Sequence, residues 1–147
     1  MTKRSQAARM QRGSRIAGIL EGHFGSPAKP GRRSSPLDTL IATLLSQNTN
    51  DQNSYRAWLN LRKQFSSWKK VASASPSAVA RSIKVGGLKN QKAQRIREIL
   101  RLIHEKRGAY ELDFLRPMSN EETRSYLMSM KGVGTKTAAC VLMFSLG

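Results

Sequence analysis

Apolar residues recur along this chain at helical intervals, and this spacing is the strongest constraint on its fold. After Pro36, the apolar set is Leu37, Leu40, Ile41, Leu44 and Leu45. Residues spaced in this way share one face of an α-helix, whereas a half-buried strand needs apolar residues at every second position. The pattern returns over residues 90–107, with Ala93, Ile96, Ile99, Leu100 and Ile103. The sequence therefore predicts an all-α protein.

Capping residues indicate where the shorter helices begin. Proline is favoured at the first position of a helix, and Pro36 and Pro76 fit that role. Ser119, with Glu122 three residues later, matches the capping box that opens a helix over residues 120–127. The segment from Pro76 to Ile83 is expected to form a short helix of its own.

Two further helices have less regular apolar faces. Asp51 is the expected N-cap of a helix that follows the polar stretch 46–51. Its inward residues are expected to be Tyr55, Trp58, Leu59 and Leu61. A last helix over residues 136–146 carries the apolar residues Ala139, Val141, Leu142 and Phe144, and its apolar run 140–146 is expected to need further partners to bury it.

The helix over residues 90–107 also has a strongly basic face. We expect this face to be solvated, with part of it following backbone phosphate. Its residues are Lys92, Arg95, Arg97, Arg101 and Lys106.

The chain divides into two predicted parts. Residues 1–35 comprise a basic arm, a short helix and a linker rich in Pro, Gly and Ser over residues 26–35. The short helix carries Ile16, Ile19, Leu20 and Phe24. We expect the arm, residues 1–15, to be disordered and to contact phosphates. Residues 36–147 form the helical domain.

The charge balance narrows the possible partners. The chain has 147 residues, with 26 Lys and Arg against 9 Asp and Glu, so its formal charge is +17. Such charge repels itself unless an anionic partner neutralises it. Nucleic acid is the first expectation and a membrane surface the second. No apolar run reaches the roughly 18 residues of a membrane span, so no spanning helix is expected.

Cysteine and histidine content argues against a metal site in this chain. Cys140 is the only cysteine, and the two histidines, His23 and His104, lie far apart in the sequence. A disulfide framework and a cysteine-based metal cage are therefore excluded within these residues.

A glycine turn carries the most specific signal. Gly132-Val133-Gly134 separates two predicted helices, and glycine permits the tight backbone that such a junction needs. The glycines also leave backbone N–H groups uncovered just before a helix N-terminus, which carries partial positive charge. Together these groups can hold a phosphate without reading base sequence. A plain connection between two helices is the alternative.

The segment that contains this turn, residues 132–141, resembles the helix-hairpin-helix element of the endonuclease III superfamily of base-excision DNA glycosylases. Residues 37–45 with the following Ser-Gln-Asn-Thr are similar to a helix of that family and the DNA-inserting loop after it. Residues 83–93 are similar to the glycine turn before its long helix. The resemblance covers residues 36–147 and implies a helical glycosylase domain that ends in the helix-hairpin-helix element.

The resemblance places a catalytic lysine at Lys136. In bifunctional members this amine attacks C1′ of the damaged nucleotide and forms a Schiff base, and elimination then cleaves the strand. Lysine suits imine chemistry once its amine is neutral. A solvated or phosphate-binding lysine is the alternative. Where family members often have proline before the turn, this chain has Lys131, which we expect to add a phosphate contact beside Gly132, Val133 and Gly134.

Gln47 and Asn48 occupy the position where the family inserts a side chain into the gap left by an extruded base. Base flipping costs a few kcal/mol of unstacking, and an inserted amide can fill the gap and hydrogen-bond the orphaned base. The resemblance favours Asn48 as the inserted residue, with Gln47 as its neighbour. A polar loop that caps a helix is the alternative.

The resemblance also implies partners and cofactors. It implies damaged double-stranded DNA as the partner of a monomer, and a cytoplasmic, nucleoid-associated location rather than an organelle address in the basic N-terminus. Full-length members carry a 4Fe-4S cluster and a catalytic aspartate downstream of the hairpin. Neither can be assigned here, and Cys140 does not match a cluster ligand. We therefore expect no cofactor within this chain, and a C-terminally truncated member whose cluster-bearing domain is largely missing.

Two other functions stay open from the sequence. One is a non-catalytic helix-hairpin-helix module that holds DNA non-specifically, and the weaker one is an RNA-binding or ribosome-associated protein. If the chain is a glycosylase, oxidised pyrimidines or a related lesion are the expected substrates. A lysine at position 136 argues against the adenine-removing branch of the family, which does not use that amine.

Overall fold

The computed structural model describes residues 3–25 and 34–147, where all regular secondary structure is helical. The chain divides between residues 32 and 33 into two units, and the first contains α1, Lys3–Phe24. The second unit contains α2 Pro36–Ser46, α3 Asp51–Gln64, α4 Trp68–Ser73, α5 Pro76–Ser82, α6 Lys89–Arg107, α7 Asn120–Met128 and α8 Thr135–Val141. A 3-10 turn at Lys84–Gly86 precedes α6, another follows it at Asp113–Leu115, and a π-helical turn at Leu142–Leu146 continues α8. The prediction of an all-α fold is confirmed.

The first unit corrects the prediction for the N-terminal arm. Residues 3–15 belong to α1 and are not a disordered arm. Ala, Arg, Gln and Met dominate that segment, which holds no proline, and these residues favour the helix. Ile16, Ile19, Leu20 and Phe24 are exposed. Most of the predicted linker, residues 26–33, lies outside the described residues. None of the helices in the described ranges has the length and apolar content needed to cross a membrane.

The core of the second unit forms around α2 and α6. α2 packs against α3, α6 and α8, and α6 also packs against α4 and α5. The apolar residues predicted to face inward on α2 and α6 are all buried: Leu37, Leu40, Ile41, Leu44, Leu45, Ala93, Ile96, Ile99, Leu100 and Ile103. Each buried Leu or Ile side chain stabilises the fold by about 1.5–3 kcal/mol.

The predicted helix starts at Pro36 and after Ser119 are confirmed. Ser35 Oγ accepts a hydrogen bond from the backbone N–H of Asp38 at 3.1 Å and caps α2, so Ser35 belongs with the second unit and not with the linker. Ser119 and Glu122 form the expected capping box at the start of α7. These caps fix the starting points of α2 and α7.

The predicted face of α3 is partly wrong. Asn50 caps this helix, with Oδ1 accepting from the N–H of Asn53 at 2.8 Å, so the cap lies one residue before Asp51. Asn and Asp are equally good caps, which explains the error. Tyr55 and Leu59 are exposed. The buried residues of α3 are Ala57 and Leu61.

The apolar residues of the last helix are only partly buried. Val141 is buried, but Ala139 is exposed and Phe144 is 58% exposed. α8 packs against α2 and α7 with a different set: Thr137, Ala138 and Val141. The wider π-helical turn then changes the register of the residues after Val141.

Lys92 is the clearest departure on α6. It was expected on the solvated basic face, but its residue surface is only 3% exposed. Its ammonium group donates to backbone carbonyls, which allows a charge to sit inside the fold.

Candidate functional site

Three connections that are distant in the sequence come together in the second unit. They are the loop between α2 and α3, the glycine turn before α6, and the hairpin between α7 and α8. Two hydrogen bonds join the first connection to the third, and the bonded residues are separated by 85 positions in one and by 90 positions in the other. The sequence-predicted residues therefore lie on neighbouring loops.

Gln47 connects the α2–α3 loop to the hairpin. Its Nε2 donates to the carbonyl oxygen of Gly132 at 3.4 Å and to Thr137 Oγ1 at 3.3 Å. Its Oε1 accepts from Arg95 Nη1 at 3.3 Å. Both ends of the Gln47 amide are thus engaged inside the protein. Arg95 is half-buried, whereas the sequence predicts it on a solvated face. Gln47 orients the loop, while its neighbour is left to project.

Asn48 has the geometry of a projecting residue. Its backbone lies in the left-handed region, with φ +52°, which asparagine adopts more readily than most residues. Its side chain is exposed and makes no hydrogen bond to the described part of the chain. The loop therefore presents a free amide at its tip.

Leu88 is a candidate that sequence reasoning missed. It is 51% exposed and has φ +44°, directly after Gly87 with φ +70°. A Cβ atom built on Gly87 would lie 3.9 Å from the carbonyl oxygen of Asn48, so the two loops are neighbours. A strained backbone at an exposed leucine points to function rather than folding. The sequence signal was an apolar residue directly after two glycines.

The hairpin turn requires glycine at its first position. Gly132 has φ +83°, and a Cβ atom there would collide with the side chain of Arg95. Val133 is buried, and its N–H donates to the carbonyl oxygen of Met130 at 3.1 Å, so it anchors the turn. The residues that this turn exposes are Lys131, Gly132 and Gly134.

Lys136 lies at the second position of α8. It is exposed, and its ammonium group has no hydrogen bond or ion pair with the described residues. The next residue, Thr137, is buried and contacts Gln47. Lys136 is four residues before Cys140, so the two side chains share one face of the helix.

A cavity of about 510 Å³ lies along that face, between α2, α3 and α8. Its walls include hydroxyl groups of α2, two aromatic rings of α3, and residues after Lys136, namely Thr39, Thr43, Ser46, Tyr55, Trp58, Cys140 and Phe144. Gln47 bonds Thr137 at one end of α2, and Thr39 bonds Ser145 at 2.5 Å at the other. α2 and α8 therefore run antiparallel, which places Lys136 and Ser46 at the same end of the cavity.

A larger cavity of about 790 Å³ lies elsewhere, between α6 and the α4–α5 segment. Its lining includes Lys69, Arg97, Arg101, His104 and Tyr110. The residues of the hairpin and of the α2–α3 loop line neither cavity, but Ser46 and Cys140 of the smaller cavity lie one residue before Gln47 and one helical turn after Lys136. We place the candidate site at the smaller cavity because Ser46 and Cys140, which line it, are the lining residues next in sequence to Gln47 and Lys136.

The residues present do not fit an iron–sulfur cluster. A 4Fe-4S cluster needs four thiolates, and the sequence has one cysteine. Within residues 3–25 and 34–147, no group of three or more His, Cys, Asp or Glu side chains could hold a metal ion.

Known proteins are similar in sequence to about three quarters of this chain. The chain is 44% identical over 112 residues to a putative DNA glycosylase of Arabidopsis thaliana. This match covers 76% of this chain and 38% of that protein. It is 38% identical over 111 residues to endonuclease III of Thermotoga maritima, covering 76% of this chain and 48% of that protein. The chain thus spans less than half the length of both relatives.

Solved structures share the fold. A trapped covalent intermediate of endonuclease III with DNA matches with a TM-score of 0.67 at 22% identity, over 93% of this chain and 60% of that chain. A thermostable thymine-DNA glycosylase matches with a TM-score of 0.70 at 21% identity, over 96% of this chain and 62% of that one. The family model described as HhH-GPD superfamily base excision DNA repair protein matches residues 41–141. The resemblance stated from the sequence is therefore confirmed, and the chain belongs to the HhH-GPD superfamily of base excision DNA repair proteins.

Proposed function

We propose that this chain is part of a DNA glycosylase with apurinic/apyrimidinic lyase activity, which acts as a monomer on damaged double-stranded DNA and uses Lys136 as its nucleophile. The observation that carries the proposal is the placement of the Lys136 amine. It is exposed, it has no partner in the described ranges, and it lies one helical turn before Cys140, which lines the cavity, and next to Thr137, which bonds the α2–α3 loop.

In the proposed reaction, an ammonium cannot attack, so the lysine first loses a proton. The neutral Nζ atom bonds to C1′ of the damaged nucleotide while the N-glycosidic bond breaks and the base leaves with its electron pair. A proton of the attacking amine passes to the departing base. The C1′–O4′ bond then breaks as the Nζ electron pair forms the C=N bond, and O4′ takes a proton from water, which gives a protonated Schiff base between Nζ and C1′. Loss of a proton from C2′ then expels the 3′ phosphate by elimination, which cleaves the strand.

The surrounding residues supply the binding steps. Lys131 and the exposed backbone of Gly132 and Gly134 grip a phosphate without reading sequence. Asn48 and Leu88 occupy the gap left by the extruded base and offset part of the few kcal/mol of unstacking. The extruded base enters the cavity of about 510 Å³, a volume within the usual range of small-molecule sites.

Borohydride trapping on an abasic duplex tests the nucleophile. Reduction makes the Schiff base permanent, so the wild-type chain is expected to form a covalent adduct and Lys136→Gln none. Lys63→Gln is the matched control, because it removes an exposed lysine at the C-terminal end of α3, outside the residues assigned to DNA binding, and keeps the amine at position 136. Absence of a wild-type adduct, or an equal adduct with Lys136→Gln, refutes the assignment.

A second function is favoured by the charge of the chain. The formal charge of +17 and the exposed hairpin glycines serve DNA binding without any chemistry. A non-catalytic module is expected to bind duplex DNA with an affinity that falls steeply with salt and survives Lys136→Gln. Binding of this kind by a wild-type chain that forms no adduct would favour the module over the enzyme.

A further inference from the structure

A buried lysine lies between two of the loops described above. Lys92, on the first turn of α6, is 3% exposed, and its Nζ atom donates to the carbonyl oxygens of Leu45 at 2.8 Å and Gly86 at 2.7 Å. No carboxylate pairs with it in the described ranges. Charged side chains are almost never fully buried unless they are paired, so this arrangement needs an explanation.

The two carbonyl groups belong to the bases of different loops. Leu45 lies in the last turn of α2, where carbonyl groups have no intrahelical donor, and three residues before Asn48. Gly86 ends the 3-10 turn, two residues before Leu88. One ammonium group therefore fixes the backbone from which both projecting side chains start.

The backbone at Gly86 is also closely packed. A Cβ atom at this position would lie 3.1 Å from Cβ of Ala57, tighter than ordinary contact, and 4.0 Å from Nζ of Lys92. The glycine turn is thus held between α3 and the ammonium group. Its position relative to the end of α2 depends on the side chain of Lys92.

Stability alone is a weak reason for this lysine. Well-packed apolar residues often stabilise a core as well as buried charges do. Hydrogen bonds from a charged donor are about twice as strong as neutral ones, and they fix geometry. Burial also lowers the pKa of the Lys92 ammonium, the expected cost of desolvating it.

We propose that Lys92 is a positioning residue that holds Asn48 and Leu88 in register, so that both side chains meet the same step of the duplex. The inference rests on the proposed function, because it requires both loops to face DNA. Lys92 itself does not touch the substrate. Its loss is expected to impair recognition of a gap in the duplex more than general binding of phosphate.

The test compares wild type, Lys92→Met and the control Lys106→Met, which removes an exposed lysine from the same helix. Affinity is measured for an intact duplex and for one with a tetrahydrofuran abasic analogue. 2-Aminopurine opposite the analogue reports unstacking by its fluorescence. Lys92→Met is expected to lower the preference for the abasic duplex about tenfold, equivalent to about 1.4 kcal/mol, and to lose the fluorescence increase. Its affinity for intact duplex is expected to stay unchanged. Lys106→Met is expected to keep the wild-type preference for the abasic duplex and the fluorescence increase.

The outcomes separate this inference from the proposed function. A wild-type chain with no preference for the abasic duplex refutes the proposed function. A wild-type preference that Lys92→Met retains in full refutes the role of Lys92. If circular dichroism shows that Lys92→Met is unfolded, Lys92→Gln, which keeps one donor group, replaces it. An intermediate loss of preference then supports the role, and an unchanged preference overturns it.

Discussion

The surroundings of Lys92 and of Lys136 differ in almost every respect, although both residues stand near the N-terminus of a helix in the same unit. Lys92 is buried, and two short hydrogen bonds to backbone carbonyls fix its position. Lys136 is exposed and has no partner in the described part of the chain. The fold thus uses one lysine for its own geometry and leaves the other available to a ligand, so burial and not residue type separates the two roles.

The largest expected effect is a difference in the free energy of unfolding between Lys92→Met and Lys136→Met. Lys92→Met leaves two buried carbonyl groups without donors, which we expect to lower the free energy of unfolding by about 2 kcal/mol. Lys136→Met removes no contact with the described residues, so a change within about 0.5 kcal/mol is expected. Urea denaturation followed by circular dichroism measures both values. Equal losses of unfolding free energy in the two variants would contradict the distinction between the buried and the exposed lysine.

The next effect concerns the two glycines of the hairpin. Gly132→Ala places a side chain at φ +83° and against Arg95, so we expect a loss of about 1–2 kcal/mol and weaker duplex binding. Gly134 has φ −98°, and a Cβ atom there meets nothing within 4 Å, so Gly134→Ala is the matched control with little effect on stability. Thermal melting and fluorescence anisotropy with duplex DNA test the pair. Similar melting temperatures for both variants would contradict the account of the turn.

A smaller effect is expected at the helix that leads into the hairpin. Ser119→Ala removes the cap of α7 and is expected to cost about 1 kcal/mol. Ser125→Ala, an exposed substitution inside the same helix, is the control and should leave stability equal or slightly higher. Denaturation curves compare the two. A loss with Ser125→Ala as large as with Ser119→Ala would show that the cap is not responsible.

The smallest effect is a dependence on pH. Burial lowers the pKa of Lys92 below the ordinary lysine value of 10.5, so just below that pH the unfolded state binds more protons than the folded state. Stability therefore rises with pH in this window. Burial also raises the pKa of Tyr126, which lowers stability above pH 10 because the unfolded state loses that proton first.

Lys92→Met keeps Tyr126, so the comparison with wild type isolates the lysine. The difference in unfolding free energy, wild type minus variant, is expected to widen by less than about 1 kcal/mol between about pH 8 and about pH 10. Denaturation at several pH values measures it. A difference that stays constant or narrows would contradict the role of burial at Lys92.

Most of the fold follows from local patterns in the sequence. The apolar spacing on α2 and α6, the proline at the start of α2 and the cap at Ser119 are local signals, and the structure agrees with them. The faces of α3 and α8 were less predictable, because tertiary packing decided which side of each helix became buried. Tyr55 is exposed and Thr137 is buried for that reason.

The candidate site was predictable where a motif marks it and not where the fold creates it. The hairpin, Lys136 and Asn48 come from a sequence resemblance, and the structure joins the α2–α3 loop to the hairpin and to the start of α8 through the side chain of Gln47. The roles of Gln47, Arg95 and Lys92 depend on contacts between residues far apart in the chain. Lysine and arginine on a basic helix face give no local signal that one of them turns inward.

The most direct test of the central claim is to map DNA binding onto the chain by NMR. An abasic duplex is titrated into the ¹⁵N-labelled protein, and the backbone amide signals report which surface it meets. We predict the largest shifts at Asn48, Leu88, Gly132, Gly134 and Lys136. Shifts confined to the larger cavity, around Lys69, Arg101 and His104, would contradict the assignment of the DNA-binding face.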